Sequence, residues 1–154
     1  MSSEAETVLD TSHSHRAEAG KVTLTLEQLA EVQPGLAAVM LEIGGRFWRC
    51  YHAARAENRR LARFQLSEGT KLLRKAAILR PKYADDIATF IAEDLATLRD
   101  AIEAADWAGF EVAFAAMTAS VNSLHEVWNH GYLVWRVDPE PPRDLVLEPR
   151  PEDR

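Results

Sequence analysis

The chain has 154 residues, 47% of them hydrophobic and 27% charged, with a formal net charge of −6. That length sustains one domain with a single core, and the acidity argues against nucleic acid and anionic membranes, which would both repel it. No apolar run reaches the ~18 residues of a membrane span, and a single cysteine, Cys50, excludes an intrachain disulfide and any multi-thiolate metal cage.

Residues 1–22 are rich in Ser, Thr, Glu and Ala without apolar periodicity, the composition of a disordered leader. Acids stand where a secretory signal would carry bases and an apolar stretch, so the expected compartment is the cytoplasm. Thr25 is placed to cap a short lead-in helix. A long first helix follows from about Pro34 to Glu57. Its stripe of Leu36, Val39, Met40, Ile43, Phe47, Cys50, Tyr51 and Ala54 recurs at three- and four-residue steps, which marks one buried face. Gly44 and Gly45 interrupt it, each costing about 1 kcal/mol against alanine unless a close helix contact or a flat ligand needs the room.

The second helix spans Asn58 to Leu79, with Leu61, Phe64, Leu72, Ala76 and Leu79 on its stripe. Pro81 suits the first turn of a third helix, where its missing N–H is harmless, and Ile87, Phe90, Ile91, Leu95, Leu98 and Ile102 form that face. Asp106 caps a fourth helix, striped by Phe110, Phe114, Met117, Val121, Leu124 and Trp128, with Gly131 marking its end near His130. No segment alternates convincingly as a strand. Four amphipathic helices of matched length with short connections predict an all-α, antiparallel four-helix bundle over residues 23–133. Five of the seven prolines lie between Pro139 and Pro151, so residues 134–154 are expected to run as an extended tail.

The stretch VNSLHEVWNHGYLVW, residues 121–135, carries the only candidate chemistry. His125 and His130 are five residues apart, about 140° around a helix, whereas a zinc-protease pair needs four. A metal-dependent hydrolase at His125, Glu126 and His130 is therefore the weakest reading. The other comparison is with the C-x-x-C-H attachment of a c-type haem. Val121, Asn122, Ser123, Leu124 and His125 keep that spacing, with valine and leucine where the thiols would stand.

On this motif, and on the segments NSLHEVWNHGYLVWRVDPEPPRDLVLEP, GLAAVMLEIGGRFWR and ENRRLARFQLSE, the chain resembles a family of small bacterial c-type cytochromes with a cytochrome c-prime-like four-helix bundle. The resemblance covers roughly residues 34–149. It implies an ancestor with haem between the helices and His125 as proximal iron ligand. Neither thioether can form at Val121 or Leu124, so covalent attachment is lost. Two readings follow. In the leading one, apolar side chains fill the old haem space, no cofactor is bound, and the protein is a non-enzymatic binding or interaction module. In the alternative, haem is held non-covalently with His125 and Met40 as axial ligands, for electron transfer or for binding or sensing a small gas.

Three further features have both structural and functional readings. Glu68 interrupts the second stripe, either as a proton donor or ligand near the haem space or as a rim carboxylate paired with an arginine. Arg55, Arg59, Arg60 and Arg63 cluster at a helix turn, as an anion or partner contact or as compensation of the helix dipole. Trp48 falls one step off the first stripe, which makes it a candidate for a homodimer or partner surface.

Overall fold

The computed structural model of the protein describes residues 16–19 and 22–153. They fall into two units, one ending at Pro34 and one beginning at Gly35. The chain is mostly helical, as the periodicities predict. Among the described residues no helix is long and apolar enough to cross a membrane.

The first unit departs from the all-helical expectation. Arg16–Ala19 (β1) pairs antiparallel with Val22–Thr25 (β2), in the register Arg16↔Thr25 to Ala19↔Val22. The expected leader boundary at residue 22 thus falls inside a hairpin, while residues 1–15 lie outside the described part. Four-residue strands are too short to alternate visibly, although VTLT has the β-branched content that suits a pleated strand. Thr25 then caps Leu26–Glu31 (α1) through a reciprocal pair: its hydroxyl accepts from the Gln28 N–H at 3.1 Å, and the Gln28 side chain accepts from the Thr25 N–H at 3.0 Å.

The second unit opens with Leu36–Arg55 (α2), which buries Val39, Ile43, Phe47, Cys50, Ala53 and Ala54. Three residues, Ala56, Glu57 and Asn58, make the whole connection. Glu57 takes a left-handed φ of 57° and closes the helix, while Asn58 accepts the Leu61 N–H at 3.0 Å and opens Arg59–Leu79 (α3). A 3-10 turn over Pro81–Tyr83 leads into Ala84–Ala92 (α4). The expected third helix is broken at Glu93, where the Thr97 hydroxyl also bonds the Glu93 carbonyl at 2.8 Å, and it resumes as Asp94–Glu103 (α5). Ala105, at φ 52°, and Asp106, which accepts the Gly109 N–H at 2.9 Å, repeat this three-residue joint before Trp107–Val127 (α6).

α2 lies along α3 and α5 along α6, with α3 also packed on α4 and α5. The completely buried Phe110, Ile87, Leu98, Ile102, Met117 and Cys50 draw on α2, α4, α5 and α6. Burial pushes the Cys50 thiol up to about 12. The core face of α3 differs in phase from the expected stripe. Ala62, Gln65, Leu66, Gly69, Leu73 and Ala76 point inward, while Phe64 is 52% exposed. Gly69 fixes this phase: a Cβ there would lie 2.7 Å from Cε1 of Phe47, so the α2 ring sits directly on α3 backbone.

α2 and α6 touch each other only sparsely. The tail fills that seam.

Candidate functional site at the seam of α2 and α6

α6 ends at Trp128, and Asn129, at φ 60°, turns the chain back. The His130 N–H bonds the His125 carbonyl at 2.7 Å and the Asn129 N–H bonds that of Glu126 at 3.0 Å. The indole of Trp128 locks this end, stacking on Tyr83 with centroids 4.1 Å apart and donating to Asp86 at 2.8 Å. From Gly131 to Arg150 the tail has neither helix nor strand, as its prolines require.

Side chains of the helices hold the tail by its main chain. The Asn122 amide both accepts the Trp135 N–H (2.8 Å) and donates to the Trp135 carbonyl (3.0 Å). His125 Nδ1 donates to the Leu133 carbonyl (2.7 Å), His52 Nε2 to that of Asp138 (2.9 Å), Trp48 Nε1 to that of Glu140 (2.9 Å) and Asn58 Nδ2 to that of Leu147 (2.9 Å). A carbonyl only accepts, so these partners fix the protonated nitrogen of both histidines. Arg49 adds an ion pair to Asp144 at 2.8 Å, and its hydrogen bond holds that carboxyl below the usual aspartate range.

Trp135 of the tail reaches both walls of the seam. The Trp135 indole lies against Gly44, where an added Cβ would be 3.0 Å from its Nε1, and its centroid is 6.2 Å from that of Phe114 on α6. The flat group that justifies Gly44 belongs to the chain itself.

The predicted site residues sit around this plug. Met40 is half-buried on the wall of an open groove of about 290 Å³ that Gly44, Gly45, Trp48 and Trp135 also line, and His125, Val121 and Leu124 do not reach that groove. Val121 and Leu124 are partly buried against the core. The groove falls just under the ~300–1,000 Å³ of small-molecule sites and encloses nothing on its open side. With the tail in this position Trp135 lies on the α2 wall beside Met40, and His125 is tied to the Leu133 carbonyl, so the two residues line no common groove. His130 Nδ1 contacts the Tyr132 hydroxyl at 3.1 Å, and among the described residues no three His, Cys, Asp or Glu side chains gather as a metal site.

The remaining sequence features lie in surface ion pairs. Glu68 pairs with Lys71 at 2.6 Å rather than with an arginine, and that hydrogen bond holds its carboxyl low. Arg55 reaches Glu111 at 3.6 Å and Arg63 reaches Glu103 at 3.1 Å. Trp48 is half-buried, with the Arg49 guanidinium 5.2 Å from its ring and its indole N–H donated to the Glu140 carbonyl. Sequence reasoning missed Asn122, His52 and Trp135 as the tail's anchors. The one signal for them was the costly Gly44, which demanded a flat neighbour.

No family model, curated protein or solved structure matches the chain.

Proposed function

We propose that this protein is a non-enzymatic four-helix bundle that acts by binding another protein chain, and that it descends from a small cytochrome that has lost its haem. In this reading α2, α3, the interrupted α4–α5 and α6 are the four helices. The observation that carries it is the Trp135 indole lying on Gly44 beside Phe114, in the seam a haem would need. Val121 and Leu124 add apolar packing where attachment chemistry would require thiols. The net charge of −6 supports protein rather than nucleic acid as the partner.

A second reading, a b-type haem protein, draws on one observation. His125 donates from Nδ1 to the Leu133 carbonyl, which leaves Nε2 with a free lone pair, the tautomer a metal-ligating imidazole uses. It would require the tail to leave the seam so that Met40 and His125 could face one centre. Haemin titration of the purified protein separates the two. The interaction reading expects no saturable, ordered complex. A one-to-one complex whose spectrum is lost in His125→Ala and shifted in Met40→Ala would replace it with the haem reading.

A further inference from the structure

The tail is held largely by bonds from helix side chains to its main chain, with the half-buried Trp135 indole lying on Gly44, Val137 packed against the core and Pro142 buried. That is how grooves recognise an extended polypeptide: main-chain bonds supply affinity and one side-chain pocket supplies register. Nothing in such recognition requires groove and segment to belong to the same molecule. The connection between them is short, Asn129 to Val134. It also carries the least explained surface of the protein, since Tyr132, Leu133 and Val134 are 78%, 50% and 74% exposed in succession. Among the described residues the main chain of Val134 takes no partner either.

We propose that two copies of the chain form a two-fold dimer by exchanging this segment, so that Trp135 of each copy fills the α2–α6 seam of the other. The inference rests on the interaction reading and names its partner as a second copy. Exchange keeps the docking contacts from Trp135 onward, so those cancel between the closed monomer and the dimer, while the hinge gives up the bonds of the Leu133 carbonyl to His125 and of the Leu133 N–H to the His130 carbonyl. The hinge decides the balance. In the dimer the two Tyr132–Val134 segments run past each other in opposite directions. Their apolar side chains then cover one another, and the free main-chain groups of Val134 gain partners. In the closed monomer the Leu133 and Val134 side chains stand largely in solvent, and the exchanged pair gives them apolar cover.

Two measurements on the full chain test this. Light scattering from micromolar to millimolar concentration is expected to show a monomer giving way to a dimer. The variant carrying Arg49→Cys and Asp144→Cys, on the two sides of the docking ion pair, is then treated with a flexible bismaleimide; the native Cys50 is fully buried and does not compete. On a denaturing gel the dimer fraction is expected to yield linked pairs and the monomer fraction internally linked single chains. Single chains alone from the dimer fraction, or no dimer at any concentration, would overturn the proposal.

If that variant folds poorly by circular dichroism, Tyr132→Ser with Val134→Ser serves instead. Loss of the mutual apolar cover is expected to weaken the dimer about a hundredfold. Asn122→Ala should speed the exchange of labelled for unlabelled chains about tenfold, because opening must break its two bonds, while leaving the monomer-to-dimer ratio nearly unchanged. A dimer indifferent to the hinge substitutions uses another surface and also overturns the exchange. These failures are separate from that of the functional reading, which falls only to an ordered haem complex.

Discussion

Gly44 and Gly45 are neighbours in the same helix, yet alanine at the two positions should act in opposite directions. In a helix interior the substitution gains about 1 kcal/mol, mostly by narrowing the unfolded ensemble. At Gly45 the nearest obstacle to a new Cβ is Nη1 of Arg49 at 3.4 Å, the end of a flexible side chain that can swing aside. Gly45→Ala should therefore keep nearly the whole gain. At Gly44 the obstacle is Trp135 Nε1 at 3.0 Å, and Asn122 grips that residue by both main-chain groups. The indole must retreat by a few tenths of an ångström against that grip, and overpacking of this kind costs about 1–3 kcal/mol. Gly44→Ala should thus be neutral to destabilising, about 2 kcal/mol worse than Gly45→Ala. Urea denaturation followed by circular dichroism measures both. In a Trp135→Ala background the two substitutions should become equally favourable, a coupling of about 1–2 kcal/mol in the double-mutant cycle. Equal stabilisation by both substitutions with Trp135 present would refute the idea that the seam is filled by this indole.

Relief of left-handed strain should stabilise the joint before α6: Ala105→Gly, at φ 52°, is expected to gain about 0.5–1 kcal/mol in a thermal melt. The Arg49 hydrogen bond lowers the Asp144 carboxyl in the folded state, so this pair's contribution is present above the unfolded aspartate pKa and fades as pH falls through the folded one. Wild type should accordingly lose more stability than Arg49→Ala on acidification below about pH 4, measured as urea midpoints. Cys50 should resist thiol reagents in the native state and react only as fast as the protein opens, since both burial and a raised pKa suppress its thiolate.

The helical segments were legible because their signals are local. Thr25 and Asp106 cap where their side chains predict, Asn58 caps the helix expected to begin there, and the stripes of α2 and α6 match the buried faces except at their margins. α3 was misread by about one residue because its phase depends on a partner. Phe47 needs the bare backbone of Gly69, which turns Gln65 inward and Phe64 outward. Periodicity counts apolar residues and cannot register a glycine or a glutamine as core. The β1–β2 hairpin is too short for alternation to emerge. At the site, the prolines correctly announced an irregular tail, but nothing local could announce its path. That path is set by bonds spanning tens of residues, from His52 to Asp138 and from Asn58 to Leu147. Met40 and His125 were each placed correctly on their helices, and the wedge between those helices came from residue 135.

The most direct test of the filled seam is the intrinsic fluorescence and visible spectrum of the full chain titrated with haemin. If Trp135 holds the seam, no single-species Soret band develops. Any quenching that does occur should then be non-saturable and the same in wild type, His125→Ala and Met40→Ala. A saturable one-to-one Soret band that disappears with His125→Ala, accompanied by exposure of the Trp135 indole, would contradict the account and establish that the tail yields its place to haem.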